Sequence, residues 1–459
     1  MATLKGRRVT VAGLGISGRA LVDWLLKRGA LVGVSESKPE TEFAEWLKAK
    51  RTRLERTEFG GHTEAFLLSS DLVVVSPGIP PMVPALGEAR RRGVPVVGDL
   101  EVVLEDCRAK VVAVTGTNGK TTTTALLGHL LKVAGLKAVV AGNIGIPLAE
   151  VADGAGPGDI LVIEVSSFQL DITPSLHPFA ALLLNITPDH LDRYRDYGTY
   201  VRSKESVFRN QDARDLAVLN RQDPRCAALA PALKARVRWF DSKTADIEGA
   251  GLDGEWMAVN EGGMVTRVLR RADFPLRGAH NLENGLAAVS AAWSLGVRER
   301  PLAEGLRSFG GVEHRMEPAG IVGGVEFVND SKATNTDSQE KALMSFTSPV
   351  VLIAGGRDKG LDFTTLRALV GKAVKAGVLI GEAADKIGAA WDGVTRLERA
   401  GTMEQAVEAA YLLARPRGVV LLSPGCASYD MFANFEERGR AFKDAVRRLA
   451  TRIGEGVAP

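Results

Sequence analysis

Short apolar runs that end on glycine recur along the chain. Residues 9–12 (Val-Thr-Val-Ala), 111–114 (Val-Val-Ala-Val) and 350–354 (Val-Val-Leu-Ile-Ala) are rich in β-branched side chains and lead into Gly13, Gly116 and Gly355. Near-continuous apolar runs of this length, bounded by turn residues, predict strands covered on both faces, as in parallel sheets. Further runs at 72–75, 137–140, 160–163, 182–184, 325–328 and 421–422 predict more strands. Helical patterns over 19–28, 125–131 and from 280 to just before Gly296 alternate with them. The fold class expected is α/β, with the glycine-rich openings marking the strand ends of three separate units.

The chain has 459 residues, enough for two or three domains. Three are expected: a Rossmann-like domain over 1–98, a central parallel-sheet domain of P-loop ATPase type over 99–311, and a second Rossmann-like domain over 312–459. Gly98-Asp99-Leu100-Glu101 closes the first, and Phe309-Gly310-Gly311 is a hinge into the third. Apolar residues make up 45% and charged residues 25%, which is ordinary for globular domains. The net charge of +3 speaks against a dedicated nucleic-acid binder, and Arg90-Arg91-Arg92 reads as a solvated helix end. Cys107, Cys226 and Cys426 are scattered with no CxxC pair, so neither a zinc site nor a disulfide framework is expected. No signal-peptide pattern opens the chain, and no apolar run reaches membrane-spanning length. A cytoplasmic protein with no membrane or nucleic-acid partner is expected.

Candidate chemistry centres on residues 111–124, VVAVTGTNGKTTTT. Strand, glycine turn, then Lys-Thr at a helix start is phosphate-binding architecture, because glycine lets backbone N–H groups close on an anion at the positive helix end. Lys120 can reach the β- and γ-phosphates and the Thr121 hydroxyl can ligate Mg²⁺. The loop is shorter than the usual G-x-x-x-x-G-K-[ST], which would need glycine at Val114; here the glycines are Gly116 and Gly119. Glu164 ends the 160–163 run, where a Mg²⁺ ligand is wanted beside such a loop; the alternative is a solvated strand end. Near the N-terminus, Gly13-Leu14-Gly15-Ile16-Ser17-Gly18 matches G-x-G-x-x-G, and Glu36 falls where a ribose-binding acid belongs. Taken alone, that fingerprint fits an NAD-dependent oxidoreductase. It demands only a phosphate at a helix N-terminus and a ribose beside an acid, and a UDP-sugar supplies both.

The compact T-G-T-N-G-K-T-T loop resembles those of the Mur ligases and the related folylpolyglutamate synthetases, which use ATP to activate a carboxylate and join it to an amine. The resemblance covers nearly the whole chain, in order: Ser76-Pro77-Gly78-Ile79, Asn185-Ile186-Thr187-Pro188-Asp189-His190-Leu191-Asp192-Arg193, His280-Asn281-Leu282-Glu283-Asn284 and His314-Arg315-Met316-Glu317. It implies ATP contacts at Gly116, Thr117, Asn118, Gly119, Lys120, Thr121, Thr122, Asn284, Arg315 and Asp330, with Arg315 reaching ATP from the third domain. It implies UDP-substrate contacts at Gly15, Ile16, Ser17, Ser37, Lys38, Ser76, Gly78, Asn143 and Ser166. Where a family member uses Asp-Thr-Arg, this chain has Glu36-Ser37-Lys38, and Lys lacks the bidentate fork of Arg. Lys120, His190 and Lys204 would be catalytic, and Thr121, Glu164, His190 and Lys204 would hold one or two Mg²⁺ ions. Sequence alone reads Lys204 as an exposed helix lysine. The resemblance implies that CO₂ carbamylates it into an anionic oxygen ligand.

In the last domain, Asn329-Asp330-Ser331-Lys332-Ala333-Thr334-Asn335, Gly355-Gly356-Arg357-Asp358-Lys359-Gly360 and Ser423-Pro424-Gly425-Cys426-Ala427-Ser428-Tyr429-Asp430 follow apolar runs. Lysines and hydroxyls on one rim suit a small dicarboxylate. The same stretches resemble the branch of the family that adds D-glutamate to UDP-MurNAc-L-Ala, with Lys332, Thr334, Lys359, Ser428, Tyr429 and Phe435 as D-glutamate contacts. Gly425 stands where many members have Ala, Tyr429 is a variable site, and Cys426 reads as a small apolar filler. The expectation is a monomeric, ATP- and Mg²⁺-dependent ligase; a family ligase for another amino acid and the oxidoreductase are the alternatives.

Overall fold

The computed structural model describes residues 4–77, 79, 83–142, 145–189, 194–358 and 360–454. Three sheets account for the strands. The first holds β1 (Arg8–Ala12), β2 (Leu31–Glu36), β3 (Arg56–Phe59), β4 (Leu72–Val75) and β5 (Val96–Gly98), all parallel in the order β3-β2-β1-β4-β5. The second holds β6 (Lys110–Thr115), β7 (Ala138–Gly142), β8 (Ile160–Glu164), β9 (Ala180–Leu183), β10 (Leu216–Asn220), β11 (Arg236–Asp241), β12 (Gly249–Asp253), β13 (Trp256–Glu261) and β14 (Met264–Arg270). Its order is β14-β13-β12-β11-β10-β9-β6-β8-β7, parallel except for the β12–β13–β14 meander. The third holds β15 (Glu317–Val322), β16 (Val325–Asn329), β17 (Val350–Gly355), β18 (Val374–Ile380), β19 (Arg396–Arg399) and β20 (Gly418–Leu422), in the order β15-β16-β20-β17-β18-β19. Only its β15–β16 pair is antiparallel.

The apolar runs form central strands for the reason their composition gives: β1, β6 and β17 are each flanked by strands on both sides, and their side chains from Val9, Val112 and Val351 onward are buried. The chain folds into two compact units, Met1–Phe274 with Glu283–Ser308, and Pro275–Leu282 with Phe309–Pro459. The first unit contains two sheets because one continuous core runs through both, from Val11, Leu21 and Trp24 to Leu161 and Leu183. Polar seams reinforce it. Trp24 Nε1 donates to Asp153 Oδ1 at 3.0 Å, and the Gly98 N–H at the end of β5 donates to the Ile172 carbonyl at 2.7 Å. The second unit has its own cores on the two faces of the third sheet. No helix among the described residues is long and apolar enough to cross a membrane.

Candidate functional site

The phosphate loop joins β6 to the helix Lys120–Val133. Gly116 (φ 150) and the helix N-cap Gly119 (φ 84) take backbone conformations that a side chain would strain, and a Cβ on Gly119 would collide with Asn284 Oδ1. Asn284 is tied to the same helix, accepting from Thr123 Oγ1 at 3.3 Å. Asn185 clasps the loop from β9's end: its Oδ1 accepts the Asn118 N–H at 2.8 Å and its Nδ2 donates to the Asn118 carbonyl at 3.2 Å. Thr117 Oγ1 is held by the Thr187 N–H at 3.0 Å and lies 3.0 Å from the Tyr200 hydroxyl. Asn118 Nδ2 is buried with no hydrogen-bond partner, a donor that an incoming anion could satisfy. Thr121 and Thr122 are buried at the helix start.

Two lysines converge on one carbonyl. Lys120 Nζ donates to Gly116 O at 2.9 Å and to Thr117 O at 2.8 Å, and Lys204 Nζ donates to Gly116 O at 2.7 Å. Lys204 lies on the helix Tyr197–Glu205 and is only 2% exposed, so the surface-lysine reading does not hold. Its ring neighbour Tyr200, four residues earlier on the same face, places its centroid 4.9 Å from Nζ. Burial lowers the Lys204 pKa well below the ordinary lysine value, and the Lys120 charge pushes the same way; Asp189, Glu164 and Asp171 only partly oppose them. Glu164 is likewise no solvated strand end. It is 3% exposed at the end of β8, directly across the ladder from Val114 of β6. The Thr121 hydroxyl and Glu164 carboxylate are hard oxygen donors of the kind Mg²⁺ takes.

On the first sheet, Gly15 caps the helix Ile16–Lys27, with Ile16 and Gly15 exposed and Ser17 half-buried. Gly18 packs on the Gly13 carbonyl, where a Cβ would clash, and buried Ser76 lies beside both glycines. Glu36 differs from the ribose-facing acid expected. Its carboxylate is buried and accepts the Leu14 N–H at 2.6 Å, the Lys38 N–H at 3.0 Å and the Ser37 hydroxyl at 3.1 Å. Burial pushes this carboxyl up, but the three hydrogen bonds outweigh it and hold its pKa below the ordinary value. Glu36 therefore braces the glycine loop. Ser37 and Lys38 are exposed beside it, and Lys38 Nζ pairs with Glu42 at 3.0 Å. Ser166 caps the helix Ser167–Asp171 in a capping box with Gln169.

In the second unit the ends of β16 and β20 carry the predicted rim. Asp330 is buried, accepting the Met316 N–H at 3.2 Å and the Ser423 hydroxyl at 2.9 Å, and burial raises its pKa to about 7. Lys332 Nζ lies 5.3 Å from the centroid of Phe435, the first residue of the helix Phe435–Arg452. Thr334 is half-buried, Ser428 is buried, and Tyr429 is 63% exposed. Cys426 is packed in the core as a filler. Gly425 has φ 67, and a Cβ there would press on Gln339, so this chain's glycine suits its backbone. Gly78, Asn143, His190 and Lys359 lie outside the described residues.

Models of three Mur ligase domains match the chain in sequence: the MurD-like N-terminal domain over residues 7–98, the middle domain over 114–292 and the glutamate ligase domain over 314–426. The UDP-N-acetylmuramoylalanine--D-glutamate ligase of Desulfitobacterium hafniense (strain Y51) is 43% identical over 449 residues, covering 97% of this chain and 98% of that one. The chain belongs to the Mur ligase family. The ligase of the same name from Pelotomaculum thermopropionicum is 44% identical over 446 residues, covering 96% of this chain and 98% of that one. In solved structures the same fold occurs in the UDP-N-acetylmuramate-alanine ligase of Thermotoga maritima, with TM-score 0.62 and 20% identity over 96% of this chain and all of that one.

Two residues of this Mur ligase were not singled out from the sequence. Tyr200 bridges the loop residue Thr117 and Lys204; its spacing from Lys204 was the available signal. Arg438 is 1% exposed and ties the rim together: its guanidinium donates to Ser331 Oγ at 3.0 Å, Ser331 O at 2.7 Å, Cys426 O at 3.1 Å and Ala427 O at 3.2 Å. Nothing distinguishes it in sequence from the other arginines of its helix.

Proposed function

We propose that this Mur ligase joins D-glutamate to UDP-N-acetylmuramoyl-L-alanine at the expense of ATP, in peptidoglycan precursor synthesis. The observation that carries the reading is the buried Lys204 amine sharing the Gly116 carbonyl with Lys120 at the phosphate loop. A structural turn has no use for two lysine amines gathered on one carbonyl, whereas phosphoryl transfer from ATP does. A carboxylate is a poor electrophile, so the L-alanyl carboxylate oxygen attacks the γ-phosphorus and ADP leaves. The D-glutamate amine then attacks the acyl-phosphate carbonyl, loses a proton, and inorganic phosphate departs from the tetrahedral intermediate.

The loop backbone of residues 116–122 and Lys120 bind and neutralise the phosphates, with Asn284 and Arg315 on the nucleotide. Thr121 and Glu164 would hold Mg²⁺, which supplies charge neutralisation for the transferring phosphoryl group. A neutral Lys204 amine can add to CO₂, losing a proton to give an N-carboxylate. Together with His190 that would offer oxygen and nitrogen donors for a second ion. The residues around Gly13–Gly18 and Ser76, with Ser37, Lys38, Gly78, Asn143 and Ser166, would take the UDP end. Asp330 and the rim of Lys332, Thr334, Lys359, Ser428, Tyr429 and Phe435 would complete the ATP and D-glutamate sites. The reading takes the enzyme as a monomer in the cytoplasm, where ATP is available. Phosphate release measured with each substrate omitted in turn tests it: release should require all three. Equal release without D-glutamate would make the protein a simple ATPase, and NADH oxidation followed at 340 nm would revive the oxidoreductase.

A further inference from the structure

Arg315 sits in an unusual backbone setting. Glycines aside, the only described residues with positive φ are its two neighbours, His314 (φ 63) and Met316 (φ 47). Left-handed conformations are unfavourable for residues with side chains and persist only where the surroundings over-determine them. Here they are over-determined. Glu317 Oε2 accepts the His314 N–H at 2.9 Å and Asn329 Nδ2 at 2.9 Å. Glu317 Oε1 accepts Lys443 Nζ at 2.8 Å, and the same ammonium donates to Glu313 Oε1 at 2.7 Å. Asn329 Nδ2 also lies 3.0 Å from His314 Nδ1 and donates to the Gly439 carbonyl at 3.3 Å.

Further backbone groups of the turn are fixed too, including the Arg315 N–H, which donates to Val312 O at 3.0 Å. The Lys332 N–H donates to His314 O at 3.0 Å, and the Met316 N–H donates to Asp330 Oδ1 at 3.2 Å. Gly439 leaves the space the His314 ring occupies; a Cβ there would collide with Nδ1. Arg315, which all this surrounds, has its Nε buried with no hydrogen-bond partner.

We infer that Glu317, held by Lys443 from the helix Phe435–Arg452, is the positioning residue that keeps the 314–316 turn left-handed and so presents the Arg315 guanidinium for the reaction. Glu317 touches no reacting atom; it acts through Arg315. The inference rests on the reading of Arg315 as an ATP contact for its kinetic consequence, but not for its structural one.

Steady-state kinetics of Glu317→Gln, Arg315→Ala and the double variant test it. Misplacing one transition-state contact by about an ångström costs on the order of 10²-fold, so Glu317→Gln is expected to lower kcat by about 10- to 100-fold, with the D-glutamate KM moving less than about twofold. The double variant should be no slower than Arg315→Ala alone, because Glu317 has nothing left to position. Losses that multiply would show Glu317 supporting the fold generally and would overturn the inference. Lys443→Met, at the rim of the network, should move kcat in the same direction by about 3- to 10-fold, and Lys443→Arg should restore most of it; this pair serves if Glu317→Gln fails to fold. Normal activity in Arg315→Ala would sink the ATP role of Arg315 alone. The brace is then decided by a crystal structure of Glu317→Gln or Lys443→Met. Relaxation of His314 and Met316 out of the left-handed region supports it, and retention of both φ values refutes it.

Discussion

Replacing Lys204 by methionine should separate stability from activity in a direction opposite to most core substitutions. Methionine keeps the stem and approximate volume and deletes the amine. The folded state loses one hydrogen bond, from Nζ to Gly116 O at 2.7 Å, worth about 1 kcal/mol net. Gly116 O is not stranded, since Lys120 still donates to it at 2.9 Å. Against that loss stands a linkage gain. Burial lowers the folded-state pKa of Lys204 well below its ordinary value, and each unit of lowering costs the folded state about 1.4 kcal/mol at pH values below both the folded and unfolded pKa. Between those two values the unfolded chain binds the extra proton, so wild-type stability rises with pH and the penalty is largest on the acid side. In CO₂-free buffer, Lys204→Met should therefore melt at or above the wild-type temperature at neutral pH, with its advantage fading as the pH rises toward the ordinary lysine value. Turnover should meanwhile fall by about 10²–10³-fold, the scale for removing a preorganised charge partner. CO₂ depletion should slow the wild type and leave the variant unchanged. A variant that melts well below wild type at every pH would mean the amine is structural. One that retains near-normal turnover would remove Lys204 from the mechanism.

Lys120→Ala should cut turnover by about 10²–10³-fold with the melting temperature little changed; near-normal phosphate release would exclude Lys120. Lys359→Ala should raise the D-glutamate KM at least about tenfold, for a charge-assisted contact of about 1.5–3 kcal/mol, while the KM for ATP and for the UDP substrate stays put; uniform loss across all three would make Lys359 structural. Arg438→Met removes four hydrogen bonds, although Ala427 O keeps the Arg357 N–H and Ser331 Oγ keeps Phe435 O, and should destabilise the second unit by about 2–4 kcal/mol, from roughly 1–3 kcal/mol per acceptor left unpaired. Hydrogen exchange at Ser331 and Ala427 reads this out, and unchanged protection there would show that the loops hold without it.

The strands that could be read from sequence are those whose environment leaves one solution. Runs such as Val111–Val114 have no polar face, so they must lie inside a sheet covered on both sides, and β1, β6 and β17 do. The β12–β13–β14 meander went unread because its edge strand is largely exposed and mixed in composition, as in Met264-Val265-Thr266-Arg267, and because β12 is short and interrupted by Gly249 and Gly251. Its turns were nevertheless written in the chain. Gly254 follows Asp253, and Gly262-Gly263 take φ 61 and 84, the paired left-handed geometry that two-residue hairpins need. The joining of the first two sheets into one unit was not legible at all. It depends on side chains meeting across long separations, such as Trp24 with Asp153, and no local pattern encodes that.

The candidate site divides along the same line. Residues whose role is to shape backbone around an anion are legible, since Gly116, Gly119 and the Lys-Thr pair are needed for local geometry. Lys204 is legible only through the family resemblance: helix periodicity gives it no address, and a lysine four residues from a tyrosine is common on surfaces. What makes it unusual is that the helix Tyr197–Glu205 packs that face against the phosphate loop. Burial then does to the amine what no sequence motif can state, lowering its pKa while its proton acceptor is a carbonyl already shared with Lys120. The same holds for Glu317 and Lys443, which lie 126 residues apart and meet at 2.8 Å. Glu317 closes the His314-Arg315-Met316-Glu317 motif, whereas Lys443 is an ordinary charged residue in its own stretch. Their pairing matters because it is made at a turn that two non-glycine residues hold in a left-handed conformation. Strain of that kind needs a counterweight from the surroundings: Glu317 supplies part of it from within the motif, and Asn329 and Lys443 supply the rest from elsewhere in the chain, where the motif that names the turn cannot show them.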